Sequence, residues 1–141
     1  MTITLAQANT ICEAAFAKAA ELKLKPLAVA VVDAGGHLIA FQRQDGSSIG
    51  RLQIASGKAC GALFLGVSSR VVAEIAGDRP TFIAAAAAAA PQGLVPAPGG
   101  VIVVDGKGAP IGAVGISGDT SDNDETCSLA GIEAAGLRVQ G

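Results

Sequence analysis

Two short apolar strand pairs that turn at glycine, separated by segments of helical periodicity, predict an α/β protein of the α+β type. Its sheet is largely antiparallel, because short connections reverse the chain, and the intervening helices cover its faces. The first pair runs over residues 28–33 (AVAVVD), turns at Ala34-Gly35-Gly36 and returns over 37–43. The second runs over 101–104 (VIVV), turns at Asp105-Gly106-Lys107-Gly108 and resumes over 111–117. Both carry V-V-D-x-x-G, at 31–36 and 103–108, which marks like turns in one sheet; six positions are too few to show a duplicated domain.

The elements follow in order. Thr4-Leu5-Ala6-Gln7 has capping-box spacing, and Leu5, Ala8, Ile11, Cys12, Ala15, Ala19 and Leu22 recur at helical intervals, so a first helix is expected over 4–24, ended by Pro26. After the first hairpin, the loop 44–48 ends in serines placed to cap a helix over 49–65, which Gly66 closes. Ser68 or Ser69 can cap a short helix over 70–76. Asp78-Arg79-Pro80 then resembles a cap with proline near the first helical position, leading into the alanine-rich block 83–90. That block is either filler or a smooth face that another subunit or a flat ligand can approach. PQGLVPAPGG (91–100) is a proline and glycine loop, and the acids of 119–125 suit the positive end of a last helix over 123–137.

A chain of 141 residues is expected to form one domain, 1–141, burying about two thirds of the surface its unfolded chain exposes. Half of its residues are hydrophobic but only 4 are aromatic, so the interior is built from small, closely set side chains. A net charge of -2, with no basic run and few aromatic rings to stack bases, argues against a nucleic-acid partner or an anionic membrane. The N-terminus has no basic region before its apolar residues, and the longest uncharged apolar run is too short to span a bilayer. The 3 cysteines, Cys12, Cys60 and Cys127, form no C-x-x-C pair and have no histidine beside them in sequence. They are expected to be buried thiols, and a reducing cytoplasm is the expected compartment. No metal-ligand spacing is present.

Four motifs in order resemble the GlcG/HbpS family, also called the haem-degrading domain, which includes the C-terminal domain of PduO proteins. They are VVDAGGHLIAFQRQDG (31–46), IASGKA (54–59), VPAPGG (95–100) and VVDGKGAPIGAVGISGDTSDNDE (103–125). The resemblance implies a profilin-like three-layer α-β-α domain with a five-stranded antiparallel sheet, and homo-oligomers, often octamers built from dimers. It also implies links to haem binding or degradation, to corrinoid metabolism and to glycolate-utilisation operons.

A haem or related tetrapyrrole needs an apolar slot, cations for its propionates and an axial ligand. Arg51 and Lys58, seven apart on one helix and so on one face, are the candidate cations, and Lys58 falls in the family's recurrent K-A pair. Gly99 and Gly100 offer bare backbone beside them. His37, the single histidine, is the candidate iron ligand. The competing reading is an enzyme acting on a small carboxylated or carbonyl metabolite. There Lys58 or Arg51 anchors the anion, the Gly99-Gly100 amides face an oxyanion, and Asp124 or Glu125 moves a proton. A third reading is an oligomeric scaffold or sensor with no chemistry. Arg43, Asp45 and Gly46 match the family's R-x-D-G, with Arg43 and Asp45 expected to form a local ion pair, and Asp33 is expected to bond its own turn. The site is therefore expected beside Lys58 and the Gly99-Gly100 loop.

Overall fold

The structure, a computed structural model, describes residues 1–141. Thr4 starts helix α1 (Leu5–Glu21) with the expected reciprocal cap: its hydroxyl accepts from the Gln7 amide at 3.1 Å and its own amide donates to Gln7 Oε1 at 2.9 Å. The chain then forms β1 (Ala28–Asp33) and β2 (Leu38–Arg43). Helices α2 (Arg51–Leu65), α3 (Ser69–Asp78) and α4 (Pro80–Ala89) follow, then β3 (Gly100–Val104) and β4 (Pro110–Ser117). Helix α5 (Ser121–Ala134) and β5 (Arg138–Val139) close the chain.

The two hairpins join through β1 and β4, which run antiparallel from Ala28↔Ser117 to Asp33↔Gly112, and every other pairing is antiparallel too. The strand order is β2-β1-β4-β3-β5. Alternation along each strand divides the core. Val29, Val31, Val101, Val103, Val114 and Ile116 face Ile11, Cys12, Ala15, Cys127 and Ile132 of α1 and α5. On the other face Val32 and Ala113 meet Ala59 and Cys60 of α2, and Ile102 and Val104 meet Ala62. Helices α3 and α4 pack beyond α2 around Val72, Ile83, Ala86 and Leu94.

Small residues make this spacing possible. A Cβ on Gly115 would overlap the Ala55 carbonyl oxygen of α2, so glycine there lets the helix lie directly on β4. The two like turns are held alike. Asp33 Oδ1 accepts from the amides of Gly35 at 3.0 Å and His37 at 2.9 Å, and Asp105 Oδ1 accepts from Lys107 at 2.8 Å and Ala109 at 2.9 Å.

Several expectations differ from the structure. Helix α2 has Gly50 at its N-cap and no side-chain cap; Ser48 instead accepts from Arg51 Nε at 2.9 Å. Arg43 and Asp45 form no ion pair with each other or with any other residue. Helix α5 starts after the Thr120 cap and stops at Ala134. Gly136, at φ 70°, then turns the chain into β5, a fifth strand beyond the expected helix that the residue periodicity did not mark.

Candidate functional site

The residues expected to form the site divide between a closed polar cluster and an open groove. Lys58 and Asp124, far apart in sequence, meet at 3.0 Å with side chains only 3% and 2% exposed. Lys58 Nζ also donates to the Ile116 carbonyl at 2.9 Å, and Asp124 Oδ1 accepts from the Asp119 amide at 3.0 Å. Burial pushes the Asp124 carboxyl above its ordinary range, against the pull of the Asp119 amide and the Lys58 ammonium. Arg51 lies on the same helix face, as its spacing predicts, and its guanidinium donates to Ser117 Oγ at 2.7 Å. The Gly100 amide donates to Ser69 Oγ at 2.6 Å, and Gly99 O accepts from Ser128 Oγ at 2.7 Å. A Cβ on Gly100 would overlap the Lys58 carbonyl group.

These groups satisfy one another, and none of Arg51, Lys58, Gly99, Gly100 or Asp124 lines a cavity. The expected pocket beside Lys58 and Gly99-Gly100 is therefore filled. Its glycines admit protein backbone and side chain at the place where a ligand was expected. Glu125 lies apart from the cluster, accepting from Arg70 Nε at 3.1 Å, and so ties α3 to α5. With Lys58 and Asp124 sealed together, the metabolite-enzyme reading is left with Arg51 and Glu125, which are bonded to Ser117 and Arg70.

The groove lies on another face of α2, between the β1–β2 turn and the loop after α4. It encloses about 530 Å³, a volume suited to a small-molecule ligand. Val32, Leu38 and Leu52 supply apolar wall, while His37, Gln53, Ser56, Cys60 and Gln92 supply polar edges. His37 is placed there by the Asp33 clamp on its amide and by its ring folding back over the turn, where a Cβ on Gly35 would meet Cδ2 at 3.1 Å. Gln92 holds the far side by donating from Nε2 to the Gly35 carbonyl at 3.1 Å. Cys60 Sγ donates to the Gly36 carbonyl at 3.3 Å, and burial together with Asp33 raises its thiol pKa.

Of the candidates named from sequence, only His37 faces this groove. Gln53, Ser56 and Cys60 were readable as one helical face by their spacing. Gln92 was not, because its proximity to the turn depends on how α3 and α4 fold back.

The donor set partly fits a haem-type group. An imidazole beside apolar walls is suitable chemistry for iron in a macrocycle, but no Lys or Arg lines the groove to meet propionates. The nearest expected cations, Arg51 and Lys58, are held by Ser117 and Asp124.

The family model described as haem degrading protein HbpS-like matches residues 3–133. An uncharacterised 15.0 kDa protein from the dhaT-dhaS intergenic region of Citrobacter freundii is 32% identical over 139 residues, covering 94% of this chain and 91% of its own. The crystal structure of HbpS superposes with a TM-score of 0.80 at 28% identity, covering 94% of this chain and 89% of that one. The crystal structure of a PduOC–haem complex gives 0.87 at 20% identity over 100% of both chains, a likeness of fold.

Proposed function

The chain belongs to the HbpS-like family, and from that premise we propose that it binds haem or a related tetrapyrrole in the groove beside His37. The observation that carries the reading is the pairing of apolar walls from Val32, Leu38 and Leu52 with the chain's single histidine on one cavity of about 530 Å³. A bound haem would supply its own redox-active iron. His37 would donate to that iron, the walls would exclude water from the ring, and the uncharged rim would leave the propionates in solvent.

The test is a haem titration followed by visible absorbance. With neither Trp nor Tyr in the chain, the near-ultraviolet absorbance of bound pigment also stands clear of the protein background. Wild type is expected to shift the haem spectrum, and His37→Ala to weaken the complex by about tenfold or more. A wild-type spectrum that stays that of free haem, or one reproduced in full by His37→Ala, overturns the assignment. Haem degradation requires an electron donor and dioxygen. Loss of the bound-haem absorbance when both are supplied, with none in His37→Ala, is the expected sign of turnover.

Self-association belongs to the same proposal. Leu38 on the groove wall is 51% exposed and Ile49, just before α2, is 92% exposed, apolar side chains that a second copy would cover. Light scattering on wild type and Ile49→Glu tests it, with a smaller particle expected for the variant.

A further inference from the structure

The missing Arg43–Asp45 ion pair points to a second site. The two residues flank Gln44: Arg43 closes β2, and Asp45 lies in the turn that follows. Opposite charges so placed on a free loop would swing together. Here the loop is pinned. The Gln44 amide donates to the Leu27 carbonyl at 2.9 Å, and Gln44 Oε1 accepts from the Leu27 amide at 2.7 Å. Ser47 Oγ also reaches Leu27 O at 3.5 Å, and Gly46 turns the chain at φ +87°.

Both charged groups line a shallow groove of about 570 Å³, whose other walls are Leu24, Pro26 and Gln44. Gln44 spends its amide oxygen and backbone amide on the clamp, and Arg43 and Asp45 are the charged residues among those that line the groove. The neighbouring Asp119 carboxylate is already engaged by the amides of Lys25 and Thr120 and by the Asn123 side chain.

We propose that this groove binds a short zwitterion, with its carboxylate on the Arg43 guanidinium, its ammonium on the Asp45 carboxylate and its methylenes against Leu24 and Pro26. The clamp on Gln44 fixes the backbone from which both charged side chains rise, which lowers the ordering cost of binding a ligand with the complementary pair. A planar guanidinium suits a carboxylate through two parallel hydrogen bonds, which favours this orientation over the reverse. The site is separate from the groove at His37 and needs neither haem nor the buried Lys58–Asp124 pair.

The probe is 4-aminobutanoate, followed by amide chemical shifts on titration, with butanoate and butylammonium as one-charge controls. Wild type is expected to show saturable shifts at residues 24–27 and 43–46, with each control binding at least about tenfold more weakly. Arg43→Gln and Asp45→Asn, both exposed positions whose replacement leaves the Gln44 clamp in place, are each expected to weaken 4-aminobutanoate by about tenfold or more. His37→Ala is expected to leave it unchanged. No saturable shift in wild type, butanoate binding as well as the zwitterion, or binding that survives both substitutions each overturns the proposal. None of these results alters the haem titration, so the two sites stand or fall separately.

Discussion

Lys58 shows how one residue's setting decides its role. On sequence it is a cation on a helix face, yet the folded chain encloses its ammonium with the Asp124 carboxylate at 3.0 Å. Removing one partner of such a pair leaves a charge without compensation in a medium that solvates it poorly. Lys58→Ala is therefore expected to cost about 3–5 kcal/mol in urea unfolding, and Lys58→Met with Asp124→Asn less than the sum of the two single changes. Additive losses would show that the pair is not coupled. The three thiols divide in the same way. Cys12 and Cys127 are fully buried, with burial pushing each pKa up to about 11, whereas Cys60 is 5% exposed on the groove wall. A maleimide under native conditions is expected to modify Cys60 first and the others only on unfolding; mass spectrometry of the digested protein reads the order.

At the scale of elements, the start of α5 is held by Asp119, whose carboxylate takes hydrogen bonds from Asn123, Lys25 and Thr120 that lower its pKa from 3.8 to about 2. A carboxyl depressed in the folded state stabilises the fold above its unfolded pKa, and that contribution is lost as pH falls through the folded value. The denaturation midpoint of wild type is therefore expected to fall between about pH 4 and pH 2 by more than that of Asp119→Asn. Equal slopes would remove Asp119 from the acid response. The turn aspartates give a paired test. Asp33→Ala and Asp105→Ala each free two exposed turn amides, and each is expected to lower the urea-unfolding midpoint. Only Asp33→Ala is expected also to weaken haem binding, since only its turn carries His37.

For the whole molecule, the layered fold rests on glycine and alanine where helix and sheet touch. Gly115→Val would drive a branched side chain into the Ala55 carbonyl, so α2 must lift from β4. Thermal unfolding is expected to show a loss of several degrees or failure to fold; an unchanged midpoint would mean the layers have slack. The strands, their turns and the helix cap at Thr4 were legible because each rests on neighbouring residues: β-branched runs, Asp-to-amide bonds, a Thr-x-x-Gln box. The fifth strand was not, since two residues become a strand only by pairing with β3. The candidate site was legible at His37, which sits on a local turn, and illegible at Gln92, brought there by two intervening helices. Arg43 and Asp45 reversed expectation: the loop between them is pinned at Gln44 to Leu27, just before β1, and their side chains form no ion pair.

What the sequence determined by itself is the fold class, the family and the residue types available, since hydrophobic periodicity, turn chemistry and ordered motifs are properties of the chain. Only the tertiary structure decided which charges are free. An ammonium and a carboxylate 66 residues apart neutralise each other in the core, and a cation and an anion two residues apart form no pair. Both outcomes depend on distances across the sheet, set by packing rather than by spacing along the chain.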